Sequence, residues 1–185
     1  MKSILRRLRH IHGTRKNIFL PDEIFLPALE ERWSVLYRNT ESRKVQARCN
    51  GSGVLKVSGP IQNVGEVKEG FRRWLVRQAG VFLVSWLDEL SLQTGMSYER
   101  VSVRGQKTRW ASCSSKGTIS INYRMLFLPP DVVRYILIHE LCHTIHPNHS
   151  GKFWSTVALL EPDFKTLNDQ AKRGMEKVPE WAKDW

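Results

Sequence analysis

Two histidines and a glutamate in the second half of the chain have the types and spacing of a catalytic metal site. His139, Glu140 and His143 form an HExxH pattern within an otherwise apolar segment. Residues four apart lie on one face of an α-helix, so the two imidazoles can converge on one zinc ion. Glu140 would lie beside that metal, where it can take a proton from the attacking water. Ionisable groups in apolar surroundings need a partner or a metal, which favours this interpretation over paired core histidines.

A catalytic zinc site needs a third protein ligand and one open position. His149 is the first candidate, because Pro147 ends the helix and lets the chain turn back toward the metal. The resulting spacing equals that of the metzincin proteases, although His146 stands where those proteins have a turn glycine. His146 and Glu161 are the alternatives, and Glu161 would complete a thermolysin-like set of two histidines and one glutamate.

The elements that must position these residues follow from apolar periodicity. We predict that the helix carrying HExxH runs from Val132 to about His146, with Asp131 as its N-cap. Ser150 is predicted to cap a following helix that ends at Leu160. A further helix is predicted from Asp163 to about Met175.

The first half of the chain predicts strands followed by one long helix. Apolar residues recur every three or four positions from Val64 to Leu90, and Gly95 closes this helix. Alternating or β-rich segments predict the strands Trp33–Asn39, Val45–Cys49, Val54–Val57, Arg100–Arg104 and Thr118–Asn122, of which the first three are expected to form a meander. The order predicts a single α+β domain over residues 18–185, with N-terminal strands, a long helix, a small sheet and a helical C-terminal region.

Composition excludes several classes of protein. With 41% hydrophobic residues and 25% charged residues, the chain of 185 residues has the composition of a folded protein and not of a disordered one. Because it has no long apolar run, we do not expect an integral membrane protein. Three cysteines without a CxxC pair argue against a disulfide framework and a four-cysteine zinc site. Because residues 1–16 also lack the apolar core of a secretory signal, we expect a reducing compartment, the cytoplasm.

The net charge of +11 is concentrated near the N-terminus. Residues 1–60 carry 12 basic and 5 acidic residues, whereas residues 61–185 carry 17 and 13. We therefore expect residues 1–17 to form a basic, flexible arm, in which helical spacing of apolar residues also allows a short amphipathic helix. Such an arm is a candidate contact for nucleic acid, with an organellar transit peptide and a solvated tail as alternatives.

Two segments of the second half resemble the YgjP-like zinc metallopeptidases, whose relatives include the SprT-like proteases. The segments are RGQKTRWASCSSKGTISINYRMLFLP (104–129) and VVRYILIHELCHTIHPNHSGKFW (132–154). The resemblance implies a zincin-like fold, one zinc ion on His139, His143 and His149, and Glu140 as the catalytic base. The family usually reads RWGSC where this chain has alanine at position 111, so that turn does not require positive φ.

Residues around this motif have candidate roles of their own. Arg109 is expected to stabilise negative charge that develops on the substrate, with a structural ion pair as the alternative. Tyr123 or Asn122 is a candidate oxyanion donor, and the Thr118–Asn122 strand is expected to pair with an extended peptide. Phe153 and Trp154 are expected to pack under the metal site, with a substrate pocket as their alternative role. Cys113 and Cys142 are expected to be buried.

Together these patterns predict a zinc metallopeptidase that hydrolyses a polypeptide with Glu140 as general base. Two rival functions use the same residues differently. A zinc-dependent hydrolase could attack a nucleotide phosphoanhydride or a phosphoester, to which the basic surplus is suited. A nucleic-acid-binding module would keep zinc as a structural ion, although three ligands beside a glutamate favour a catalytic site.

Overall fold

A computed structural model describes residues 20–49 and 51–183, so the predicted basic arm at residues 1–17 lies outside the described residues. Within these ranges no helix is long and apolar enough to cross a membrane. Strands and helices are mixed along the chain, which confirms the α+β class. The elements are β1 (Glu23–Leu26), β2 (Glu31–Asn39), β3 (Gln46–Cys49), β4 (Val54–Gly59), α1 (Val64–Thr94), β5 (Arg100–Arg104), β6 (Ala111–Cys113), β7 (Thr118–Asn122), α2 (Pro130–Cys142), α3 (Gly151–Leu160), α4 (Phe164–Arg173) and α5 (Glu180–Lys183).

The first four strands form one sheet in the order β1-β2-β4-β3. Strands β3 and β4 form the predicted antiparallel hairpin, but β2 and β4 are parallel, so the predicted meander is wrong. The chain leaves β2 beside the end of β4, where the Thr40 amide donates to the Gly59 carbonyl at 3.0 Å. Strand β4 follows β3 in the chain but lies between β2 and β3 in the sheet. Alternation predicts each strand but does not specify the order of strands in the sheet.

Helix α1 packs against the inner face of this sheet and has the predicted limits. Asn63 caps its first turn by accepting from the Glu66 amide at 3.2 Å. Gly95 ends it in the left-handed conformation at φ 70°, which glycine adopts without steric cost. Its buried stripe includes Phe71 and Trp74, whereas Phe82, predicted to share the stripe, is 38% exposed.

Strands β5, β7 and β6 form a second sheet in that order. Strands β5 and β7 are parallel, and β6 and β7 are antiparallel. The turn between β6 and β7 is closed by the Gly117 amide, which donates to Ser114 O at 2.9 Å. The short strand β6 was not predicted. It contacts α2 and therefore connects this sheet to the helix that carries the histidines.

Helix α2 differs from its prediction at both ends. It begins at Pro130, because proline is pre-set for the first helical position and needs no amide partner there. Asp131 is therefore inside the first turn and is not the N-cap. The regular helix ends at Cys142 instead of His146, since Pro147 has no amide to bond to the carbonyl four residues earlier.

The C-terminal helices agree more closely with their predictions. Ser150 caps α3 as predicted, accepting from the Phe153 amide at 3.4 Å. Helix α4 ends at Arg173, and the last predicted turn continues as a 3-10 helix over Gly174–Lys177.

Candidate metal centre and its surroundings

Three histidines meet where α2 ends and the next loop begins. One ring nitrogen from each of His139, His143 and His149 lies within 4.8 Å of the other two. The Nε2 atoms of His139 and His149 are 3.1 Å apart. Helical spacing brings the first two rings to the same face of α2. The turn after Pro147 brings the third ring back to them, as its sequence position predicts.

The loop between α2 and α3 also fixes one imidazole in place. His143 Nδ1 lies 3.1 Å from the carbonyl oxygen of His146, so a hydrogen on Nδ1 leaves Nε2 free as a ligand atom. The His146 ring is held elsewhere, with Nε2 3.2 Å from Thr156 Oγ1. His146 thus contributes its backbone and is not one of the three clustered rings.

Aromatic rings of α3 hold two of the histidines by stacking. Phe153 is fully buried and stacks on His143, with centroids 4.6 Å apart and an interplanar angle of 28°. Trp154 stacks on His149 at 5.5 Å and 23°, and Phe164 stacks on Trp154 at 5.4 Å. The predicted packing of Phe153 and Trp154 beside the histidines is confirmed.

Burial favours the neutral form of His139 and His143. Burial, together with the neighbouring His143 and His149, lowers the pKa of His139 to about 4. Burial likewise lowers the pKa of His143. A neutral imidazole is the form that binds a metal ion. Three converging imidazoles make a donor set that fits zinc, and imidazole also suits copper, iron and nickel.

Glu140 lies next to the histidines and is almost completely buried. Its side chain accepts a hydrogen bond from the backbone amide of Cys113 on β6, while Oε2 has no hydrogen-bond partner. Burial raises the pKa of Glu140 to about 7, against the opposing effects of that amide and of the Arg109 guanidinium. A carboxylate with one oxygen anchored and the other unpaired can accept and return a proton near neutral pH.

Arg109 is an exposed residue on the loop between β5 and β6, and its charge acts on Glu140. Asn122 positions this loop, because its side-chain amide donates to the carbonyls of Gln106 at 2.8 Å and Arg109 at 2.9 Å. Both amide hydrogens of Asn122 are therefore occupied, which does not support its predicted role as an oxyanion donor. No signal in the local sequence identifies Asn122 as the residue that holds the loop.

Tyr123 lies in a 3-10 helix that contacts α1. Its ring is fully buried and contacts Gly105, and it lines a pocket with Glu69 and Arg72. The predicted substrate contact of Tyr123 therefore has no support in the geometry. A side chain that follows the last residue of a strand can turn to either side of the sheet, so alternation could not predict this direction.

Two further predicted residues have structural partners. Glu161, the alternative third ligand, forms a salt bridge with Arg134 and is not part of the clustered set. Trp110 donates from Nε1 to the Ala171 carbonyl at 2.8 Å, so this part of the RWASC segment is structural. Ala111 lies in β6 without positive φ, which agrees with the alanine at that position.

The cysteines near the site are not activated thiols. Cys142 is buried, and burial raises its pKa to about 11. Cys113 is partly buried, and burial followed by the charge of Glu140 raises its pKa. The thiolate is the reactive form of cysteine, so neither environment favours reaction.

Comparison with known proteins places these features in a family. A family model described as YgjP-like, metallopeptidase domain, matches residues 1–173. The metallopeptidase zymogen abylysin of Pyrococcus abyssi is similar at 29% identity, over 51% of this chain and 96% of that chain, with a TM-score of 0.47. The zymogen jannalysin of Methanocaldococcus jannaschii is similar at 17% identity, over 50% and 96%, with a TM-score of 0.45. Among curated proteins nothing matches the chain.

Proposed function

Because the chain belongs to the YgjP-like metallopeptidase family, we propose that it is a zinc-dependent peptidase with His139, His143 and His149 as ligands of one ion and Glu140 as general base. The observation that carries the proposal is the convergence of three imidazoles beside a buried carboxylate. A bound zinc ion would supply Lewis acidity, which polarises the scissile carbonyl and lowers the pKa of water.

Glu140 performs the proton transfers. Its unpaired Oε2 accepts a proton from the attacking water, whose oxygen bonds to the carbonyl carbon of the substrate. When the C–N bond breaks, Glu140 returns the proton to the nitrogen of the leaving amine. The Cys113 amide holds the other carboxylate oxygen during both transfers.

Strand β6 is the edge at which an extended substrate can pair. The sequence favoured the Thr118–Asn122 strand for this role, but β7 already has β5 on one side and β6 on the other. Strands β5 and β6 are the two edges of this sheet as described, and β6 is the edge whose Cys113 amide bonds to Glu140. A peptide strand added to β6 would lie beside the histidine cluster, with Arg109 nearby to stabilise developing negative charge.

The test is cleavage of an unfolded protein by zinc-loaded protein, in parallel with Glu140→Gln. Glutamine keeps the size of the side chain but cannot accept the proton, so we expect equal zinc content and loss of turnover, by about 10²-fold or more. Wild-type activity in the Glu140→Gln variant would refute the mechanism. His149→Ala should instead lower zinc content, which separates ligand loss from base loss.

The same protein preparations test the rival hydrolase. The protein would be a phosphoanhydride hydrolase and not a peptidase if it released phosphate or pyrophosphate from nucleoside triphosphates without cleaving peptides. That release would have to depend on Glu140. The cytoplasmic location and the nucleic-acid contact expected for residues 1–17 stay predictions from the sequence.

A further inference from the structure

The outer face of the first sheet carries a set of basic side chains that the peptidase function does not use. In the register of the strands, Leu36, Lys56 and Arg48 lie side by side on β2, β4 and β3. Arg38 lies two residues further along β2, on the same face. All four of these side chains are exposed, while the opposite face of the sheet packs against α1.

This face has little negative charge to balance the basic residues. Among the described strand residues of the face, Glu23 is the single carboxylate, and it forms a salt bridge of 2.9 Å with Arg32. Arg38, Arg48 and Lys56 form no salt bridge within residues 20–49 and 51–183. Adjacent strands are about 4.8 Å apart and same-face residues of one strand roughly 7 Å apart, so the three charges form a compact patch.

One end of the face offers a flat surface for stacking. The Arg32 guanidinium lies over the Phe25 ring, with its central carbon 4.3 Å from the ring centroid. The Arg32 side chain is 63% exposed, and Phe25 remains 40% exposed although it is a large apolar residue. Unpaired bases stack on aromatic rings and on guanidinium planes, whereas the bases of a duplex are already stacked on one another.

We propose that this face, defined by Phe25, Arg32, Leu36, Arg38, Arg48 and Lys56, binds single-stranded nucleic acid. The charges of Arg38, Arg48 and Lys56 complement a phosphate backbone. Arg32 and Phe25 supply the stacking platform for a base, and Leu36 supplies apolar contact between the two regions. None of these residues belongs to the histidine cluster, so binding here is independent of the chemistry at Glu140.

The experiment measures the affinity of the full chain for a fluorescent single-stranded oligonucleotide of about 16 nucleotides as a function of salt. The test variant is Arg38→Gln/Arg48→Gln/Lys56→Gln. The control variant is Lys165→Gln/Arg173→Gln/Lys177→Gln, which removes the same charge from exposed positions of the C-terminal helical region. Both variants retain residues 1–17, so any contribution of the basic arm is the same in each.

Each phosphate contact to a single strand contributes about 0.7 to the slope of log affinity against log salt. We expect the test variant to lose about 2 from that slope and on the order of a hundredfold in affinity near 0.1 M salt, with little change in the control. Equal losses in the two variants would overturn the proposal, because they would reflect net charge or another region of the chain.

A second variant tests stacking separately from charge. Phe25→Leu preserves an apolar side chain at a half-exposed position, so the sheet should still form. Loss of one stacked base should weaken binding by roughly tenfold without changing the salt slope. Unchanged affinity of Phe25→Leu, or tighter binding to duplex of the same sequence, would exclude a single strand stacked on this face. Binding to anionic vesicles but not to the oligonucleotide would also exclude it.

Cleavage of an unfolded protein in the absence of nucleic acid should be unaffected by these variants, with unchanged zinc content. Failure of the peptidase proposal would appear in that assay, whereas failure of the nucleic-acid proposal would appear in the binding titration alone. The two proposals are therefore tested independently.

Discussion

Replacing Asn122 with alanine should destabilise the protein and reduce its activity through the loop that carries Arg109. The side chain is fully buried and makes three hydrogen bonds, two to the carbonyls of Gln106 and Arg109 and one from the Arg124 amide at 3.1 Å. Gln106 O retains a second donor in Arg124 Nη1 at 3.3 Å, which moderates one of these losses. The buried Arg124 amide loses its side-chain acceptor entirely.

These contacts set the size of the effect. Each lost carbonyl bond costs about 1 kcal/mol, and leaving a buried amide unsatisfied costs about 1–3 kcal/mol. Because Arg124 still donates to Gln106 O, we expect the free energy of unfolding of Asn122→Ala to fall by about 2–5 kcal/mol. The value is measured by urea unfolding of zinc-loaded protein, with an unchanged m-value as the sign that the two-state comparison holds.

Asn63→Ala is the matched control, since it also removes an asparagine side chain. Asn63 makes one capping bond at the start of α1. The free energy of unfolding of this variant should therefore fall by about 1 kcal/mol, while its activity stays unchanged. Asn122→Ala should in contrast reduce kcat for peptide cleavage, because Asn122 holds the loop that carries Arg109. The zinc content should stay unchanged, because Asn122 does not hold the histidines. A stability loss below about 1 kcal/mol, or activity equal to that of Asn63→Ala, would refute this role for Asn122.

Two other predictions concern packing and the metal. A Cβ added at Gly70 would lie 2.7 Å from Val45 Cγ1, whereas at Gly80 no described atom lies within 4 Å. Gly70→Ala should thus lower the free energy of unfolding by about 1–2 kcal/mol and Gly80→Ala raise it by about 1 kcal/mol, and the reverse order in urea unfolding would contradict the packing of α1. When free zinc is one hundred times its Kd, binding should add about 2.7 kcal/mol to the free energy of unfolding, and a chelator should remove this contribution. If the His149→Ala variant lost the same amount on chelation, His149 would be excluded as a ligand.

The placement of the histidines could be predicted because each step depends on local geometry. Positions 139 and 143 share a helix face whatever surrounds them, and Pro147 must end that helix. The ends of the long helix α1 likewise depend on residues close in sequence, because Asn63 caps its first turn and Gly95 ends it in the left-handed conformation. These are interactions among residues close in sequence.

Features that depend on distant residues were not predictable in the same way. The parallel pairing of β2 with β4 joins segments that are separated in the chain by β3, and alternation does not encode that pairing. The same limit applies to the choice of β6 over β7 as the edge beside the histidines. The hydrogen bonds of Asn122 cross from β7 to a loop 13 and 16 residues earlier, so their partners can be identified only in the fold.

The division between local and distant interactions has a consequence for the site itself. The local interactions bring the histidines together. The amide that holds one oxygen of Glu140 belongs to Cys113 in the second sheet, and the charge of Arg109 lies on the loop after β5. Binding a metal then requires α2 and the turn to His149, whereas proton transfer also requires β6 to be correctly placed. Variants that disturb the second sheet, such as Asn122→Ala, should accordingly separate the two properties by keeping the metal while losing turnover.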